Sequence, residues 1–436
     1  VLLTSSGNAN LATHKKILMI SVNSEIGRLR KVIVHRPDEG ISRISPKRAE
    51  DLLFDDIVYY PNIVAEHDEF VAVLESFMGK GNVLEAENLL EEALVADPQL
   101  KEELIDRIIF YEELPKKDRA FFKEMPTDEF ADTIISGYHK GSDFIYFDPI
   151  PNFIFTRDIA VSIHNYIIVT KAAKMARYRE NLIARFIFLA HPLFEEERKN
   201  NKIINLNDID LFPPNKRGEI VSMEGGDMMM ISNDHLLVGV SERTSDHAFY
   251  SLKDYLFKHN IIKNVVKINI PDERAFMHID TLFTRINHND IVCYRPVVYD
   301  GIGSNVHVYR DSGEKSIYSS VKDFVSREIN PAINFIFAGN GLSPYQEREQ
   351  WTDGCNLVAI RPGIAITYDR NPRTAVALTE AGYNVIHAKD YLRGVLNKTI
   401  DPETIENTII SLECGELSRA RGGSHCMTCP LVRDTV

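Results

Sequence analysis

At 436 residues the chain is longer than one hydrophobic core usually supports, so a large domain with a second unit is expected. Hydrophobic residues make up 44% and charged residues 26%, the proportions of an ordinary globular protein. The formal net charge of −13 argues against a nucleic-acid binder, and the sequence lacks the long apolar run of a membrane span. Five cysteines, an odd number in a long chain, suit a reducing cytoplasm better than a disulfide framework, so a cytoplasmic protein is expected.

In chain order, 1–19 is polar and lacks the pattern of a signal peptide, which predicts a loose arm. Lys15 to Val22 and Leu29 to Val34 read as strands either side of a turn signal, Ser24-Glu25-Ile26-Gly27. From about Glu66 the texture becomes acidic and helical, with predicted helices over Glu69–Phe77, Glu85–Val95 and Leu100–Tyr111. Asp97-Pro98 starts the third, and Leu100, Leu104, Ile105, Ile108 and Ile109 form its apolar stripe. A further helix runs from Thr127 to a C-terminal cap at Gly137. The segment 66–142 therefore reads as a helical insertion with a solvated charged face, dividing a larger unit of 20–65 and 143–436.

Beyond it one pattern recurs: a polar residue, a strand, a turn and a strand. It starts at Phe155-Thr-Arg-Asp158, at Glu224-Gly-Gly-Asp227, at His278-Ile-Asp280 and at Asp353-Gly-Cys-Asn356. Helical stretches such as Ala248–His259 and Thr374–Ala381 separate the copies, and the N-terminal strands offer a fifth. Each unit leaves one apolar face uncovered, so a ring of units is the natural closure. In a ring the opening polar residues face the axis, gathering Asp158, Glu224 or Asp227, His278 and Asp280 in one pocket. Alternation along 276–283 puts His278 and Asp280 on one side of a strand, where they can also simply satisfy each other. Three carboxylates and a histidine with no obvious counter-cation invite a positive ligand, either a metal ion or an organic cation such as a guanidinium.

The last stretch, Arg421-Gly-Gly-Ser-His-Cys426-Met-Thr-Cys-Pro430, sets a cysteine beside an arginine and a histidine in a glycine-permitted loop. Cations favour the thiolate, so Cys426 is the candidate nucleophile, although an inert buried cysteine is the common fate of the residue. Cys426-x-x-Cys429 also fits half a zinc site with Cys414 or His425, but no second pair completes it. A thioredoxin-like pair would need a helix at the first cysteine, for which Pro430 leaves no room.

Taken together, Pro151-Asn152-x-x-Phe155-Thr-Arg-Asp158, Met223-Glu-Gly-Gly-Asp227, Ser241-Glu-Arg243-Thr, Met277-His-Ile-Asp280 and Arg421-Gly-Gly-x-x-Cys426-Met resemble the arginine deiminases of the guanidine-modifying superfamily. Asn23-Ser-Glu-Ile-Gly and Arg348-Glu-Gln-Trp-x-Asp-Gly354 extend the resemblance from about Ile20 to Asp434. It implies an α/β fold, a five-fold pseudosymmetric propeller with an inserted helical subdomain. It also implies hydrolysis of free L-arginine to citrulline and ammonia, with no metal or other cofactor. In that scheme Asp158 and Asp280 grip the guanidinium, Cys426 attacks its carbon, and His278, held charged by Glu224, is the acid and then the base. Arg177 and Arg243 bind the substrate carboxylate, while Asn152, Asp227 and Arg421 complete the substrate pocket. Taken alone, Arg177 and Arg243 read as surface ion-pair residues. Ser418 and Ala420 depart from the family pattern, which has glycines there. Related hydrolysis of agmatine or methylarginine, amidino transfer, and an inactive arginine-binding propeller are the alternatives. No nucleic acid or membrane partner is expected, and a homo-oligomer is left open.

Overall fold

The computed structural model describes residues 19–436 apart from Asp55, Asp272 and Arg274. The arm expected at 1–19 lies outside the described residues except for Met19, as does the first half of the strand expected over Lys15 to Val22. Ser21 and Val22 form isolated bridges, to Val432 and His164.

This is an α/β protein, and five of its sheets share one plan among the described residues: an antiparallel pair, then a third strand parallel to the second. Ala160–Ile163 pairs with Tyr166–Val169, which pairs with Ile203–Asn205. Met228–Ser232, His235–Val240 and Asn264–Asn269 repeat the plan. So do Phe283–Arg285, Asp290–Cys293 and Asn334–Phe337. Val358–Arg361, Ile364–Tyr368 and Thr408–Leu412 follow it again. The fifth copy joins the two chain ends: Cys429–Arg433 runs antiparallel to Leu29–Val34, which runs parallel to Val83–Glu85. Parallel neighbours demand a crossover, and helices supply it at Tyr178–Ala190, Asp246–Lys258 and Pro372–Glu380.

The helix Tyr60–Met78 runs through position 66, where the helical insertion was expected to start. Its buried Ile63, Phe70, Val73, Leu74 and Phe77 belong to the cluster that covers Leu29–Val34 and Ile364–Tyr368. Phe77 stacks on Tyr391 with ring centroids 5.5 Å apart. The acidic texture of the segment hid an apolar face committed to the sheets. Because Val83–Glu85 then joins a sheet, the purely helical run begins at Ala86. Within it, Asp97 caps Pro98–Tyr111 by accepting from the Gln99 N–H at 3.0 Å. Leu104, Ile105 and Ile108 bury the predicted stripe. Gly137, at φ 75°, ends Thr127–Ser136 in the left-handed conformation its sequence signalled. A helix at Asp118–Glu124 and a small hairpin of Tyr138–His139 with Phe144–Ile145 were not foreseen.

The junction of the two chain ends depends on close approach at Gly27, where an added Cβ would lie 2.0 Å from the Asp434 carbonyl oxygen. Gly27→Ala is therefore expected to destabilise the protein by about 1–3 kcal/mol, read as a lower urea midpoint at unchanged slope. An unchanged midpoint would show that this junction yields freely.

Candidate active site

The hairpins that carry the candidate acids each open on a tight 3-10 turn: Thr156–Asp158, Gly225–Asp227 and Ile279–Thr281. The alternating strand predicted over 276–283 is thus replaced at its centre by a turn, and the strand starts only at Phe283. The Thr281 hydroxyl, donating to the His278 carbonyl at 2.6 Å, and the Ile279 N–H, donating to Asp227 Oδ1 at 3.0 Å, favour that turn over a ladder. His278 and Asp280 consequently take different partners. His278 Nε2 lies 3.0 Å from Glu224 Oε2, with Nδ1 3.9 Å from Asp158 Oδ1. Asp280 Oδ2 lies 2.9 Å from His425 Nδ1 and accepts from the Cys426 thiol at 3.5 Å.

A counter-cation, unseen in the sequence, completes the cluster. Arg177 Nη1 donates to Asp158 Oδ2 at 2.7 Å and to Glu224 Oε2 at 3.0 Å, while its Nε donates to Glu180 at 2.9 Å. All of these groups are buried. Burial would discharge Glu224, but Arg177 and His278 hold its carboxyl far below the usual range. Burial would likewise discharge His278, but Asp158, Glu224 and Asp227 lift it to about 10, so the imidazole is a cation at neutral pH. Cys426 is the opposite case: burial, then Asp280 and Asp158, push its thiol well above the ordinary range. The Cys426 side chain is therefore held as a thiol here.

Asn152, Asp158, Arg177, Arg243, His278, Arg421 and Cys426 line one pocket. Asp280 and Glu224 are not on its wall: Asp280 accepts from the Cys426 thiol, and Glu224 stands against His278. Asp227 is not on the pocket wall: it takes the Ile279 N–H and the Ser241 hydroxyl, the latter at 2.7 Å, and so braces the loop that carries Arg243. The free volume is about 30 Å³, room for a water and not for an amino acid. Arg421 closes one side, its guanidinium carbon 3.3 Å from the centre of the Trp351 ring. The acceptor Asp280 Oδ1 and the donor Arg243 Nε are among the buried atoms without a hydrogen-bond partner among the described residues, as is Glu180 Oε1 beside Arg177.

Two residues that the sequence left without a role brace the Cys426 loop. Asn356 Oδ1 accepts from the His425 and Cys426 N–H groups at 3.1 and 3.2 Å, and its Nδ2 donates to the Asp280 carbonyl at 3.1 Å. Glu25 Oε2 lies 3.1 Å from His425 Nε2 and 3.5 Å from Arg157 Nη2. Asn356 ends the opening of the fourth repeat and Glu25 sits in the N-terminal turn, so their positions in the pattern were the available signal.

The one metal-capable cluster among the described residues is Asp158, Glu224 and His278. Arg177 already donates to both of its carboxylates, and a protonated imidazole offers no lone pair, so the set as charged here suits a guanidinium better than an ion. The half-site imagined at the cysteines is dispersed: Cys429 Sγ donates to Ala160 O at 3.2 Å and Cys414 Sγ to Asp369 at 3.3 Å.

A family model described as arginine deiminase matches residues 50–135 and 122–433. An arginine deiminase of Limosilactobacillus fermentum is 34% identical over 445 residues, covering 95% of this chain and 98% of the relative. One from Borrelia duttonii is 31% identical over 449 residues, covering 96% and 98%. The chain belongs to the arginine deiminase family. At the level of fold it is also similar to an amidinotransferase of a saxitoxin biosynthetic pathway from Microseira wollei, with a TM-score of 0.52 at 13% identity, covering 96% of this chain and 98% of that one.

Ser418 and Ala420, which stand where the resemblance implies glycines, are both buried. Ser418 Oγ donates to the Cys414 carbonyl and accepts from Arg370 Nη1, each at 2.8 Å, which ties down the turn Leu417–Ala420.

The elevated His278 has a consequence for stability. Its folded value, about 10, exceeds its ordinary value of 6.5, so its stabilisation is fully present below pH 6.5 and is lost as pH rises toward 10. The urea midpoint of wild type should fall across that window more steeply than that of His278→Gln. Parallel profiles would contradict the assignment of a buried imidazolium.

Proposed function

We propose that this arginine deiminase family member hydrolyses L-arginine to citrulline and ammonia through a covalent intermediate on Cys426. One observation carries the reading: one narrow pocket is lined both by a carboxylate, Asp158, together with Cys426, and by a guanidinium, Arg243, whose Nε lacks a hydrogen-bond partner among the described residues. A ligand with a guanidinium at one end and a carboxylate at the other satisfies both. The chain's own Arg177 supports the same chemistry, since its guanidinium already rests on Asp158 and Glu224. Substrate would displace Arg177 from those carboxylates and leave it free, with Arg243, to meet the α-carboxylate.

In this mechanism the arriving guanidinium offsets the carboxylate field that keeps the Cys426 thiol protonated, and so lowers the cost of the thiolate, the thiol proton passing to solvent. The sulfur forms a bond to the guanidinium carbon. His278 gives its proton to one nitrogen, which leaves as ammonia, and the carbon stays on sulfur as a thiouronium cation. His278, now neutral, takes a proton from water as the hydroxide adds to that carbon. The carbon–sulfur bond then breaks and the adduct's hydroxyl proton passes to the departing sulfur, releasing citrulline and restoring the Cys426 thiol, with His278 charged again. Asn152 and Arg421 would line the substrate, and Asp227 would act through the Arg243 loop. No metal or other cofactor enters the scheme.

The wider reading is a five-fold pseudosymmetric propeller working in the cytoplasm, supported by five like sheets and by the absence of disulfide partners among the buried cysteines. Among the described residues no helix is long and apolar enough to cross a membrane. We place the inserted helical subdomain from residue 86 to the hairpin that ends at Ile145.

The substrate test compares L-arginine with agmatine, which lacks the carboxylate and would leave Arg177 and Arg243 unpaired. Sites built for a polar group reject the analogue lacking it by about 10⁴-fold in kcat/KM. Arginine should be turned over with agmatine nearly inert, and Arg243→Leu should lose most activity on arginine while narrowing the gap. Equal rates on both would dispose of the carboxylate clamp. Activity should also survive exhaustive dialysis against EDTA; loss on chelation, restored by added metal, would reassign the acid cluster.

A further inference from the structure

Away from the active site, a cleft of about 370 Å³ is lined by Arg348, Arg370 and Arg373, with Tyr345, Thr352 and Glu349. It lies between the helix Tyr345–Trp351 and the start of Pro372–Glu380. All three arginines are exposed, and none has a carboxylate in salt-bridge range among the described residues, although the chain carries a formal net charge of −13. The one acid in the wall does not neutralise them. Glu349 spends its oxygens on the Arg373 N–H at 2.9 Å and on the Thr374 N–H and hydroxyl at 2.7 and 2.6 Å, capping the helix.

Two of the three guanidiniums are held in place. Arg373 lies 4.3 Å over the Tyr345 ring, and Arg370 donates one arm to Ser418 at 2.8 Å, leaving its other donors free. Planar guanidinium forks matched in number and preset in direction suit a tetrahedral dianion better than a single carboxylate. We propose that this cleft binds a phosphoryl oxyanion, and that occupancy reaches the catalytic loop through the Arg370–Ser418 hydrogen bond. Ser418 belongs to the turn that leads into Arg421, on the pocket wall, and to Cys426. A glycine at 418 would have no hydroxyl to make this link, so the coupling belongs to chains with a serine there. The binding claim stands on the cleft alone; the coupling rests on the deiminase reading.

Titration calorimetry of the whole protein, without arginine and at ionic strength fixed with potassium chloride, tests binding with inorganic phosphate in one arm and ATP in the other. One saturable site is expected. Arg348→Gln/Arg373→Gln should weaken it roughly a hundredfold, about tenfold per guanidinium, while keeping its citrulline-forming rate in phosphate-free buffer. Saturation by phosphate alone identifies the free ion as sufficient; saturation by ATP only assigns the site to a phosphorylated metabolite. No saturable site in either arm, or equal affinity in the double variant, overturns the proposal. For the coupling, the anion that binds should change the apparent KM for arginine by about fivefold or more in wild type. Ser418→Gly should keep the affinity and lose that effect. A KM that ignores the anion in wild type overturns the coupling, whereas absence of any citrulline formation would strike the active-site reading and leave the binding isotherm untouched.

Discussion

Asp158, Glu224, Asp227 and Asp280 are buried around one cysteine and one histidine, and a charge taken out of water must be matched or it discharges. Much of the local architecture serves that matching. Arg177 is drawn in to bridge Asp158 and Glu224, and His278 stays protonated between the same two. Asp227 takes a backbone N–H and a hydroxyl in place of a cation. Asp280 leans on His425, which leans on Glu25 and Arg157 in turn. Glycines make the crowding possible: a Cβ at Gly225 would fall 1.9 Å from the Arg157 carbonyl oxygen, and one at Gly226 would fall 2.6 Å from the His278 ring.

The same field accounts for the state of the nucleophile. A thiol facing Asp280 and Asp158 cannot ionise cheaply. A guanidinium placed between sulfur and carboxylates removes that obstacle in the act of binding. In the proposed mechanism Arg177 is then both placeholder and partner: it rests on the carboxylates of a nearly filled pocket, and substrate would displace it.

The sequence was most legible where local rules decide the outcome. The Asp97 cap, the Gly137 terminator and the hairpins that follow each polar opening residue were read from residue type and spacing. Motifs also named the groups that now share one pocket, although their roles are proposals. What stayed hidden depends on distance in sequence. Arg177 reads as a surface arginine because Glu224 lies 47 residues away. The ladder of Glu25 to His425 spans 400 residues, and nothing local to either announces it. The turn at 279–281 was read as strand because its residue types alternate, whereas the Asp227 carboxylate that favours the turn is 52 positions upstream. The helix expected at Glu69–Phe77 was assigned to the insertion by its acidic texture, although it is part of Tyr60–Met78, whose buried face belongs to the sheets.

The central claim is that a guanidinium held by these carboxylates is attacked by Cys426 and by no other thiol. Acid-quenching the reaction with L-arginine during turnover and mapping the protein by fragmentation mass spectrometry tests it directly. The account predicts a mass increase equal to arginine less ammonia, localised to Cys426 and absent from Cys426→Ala. An adduct on Cys429, or steady citrulline formation by Cys426→Ala, would contradict it.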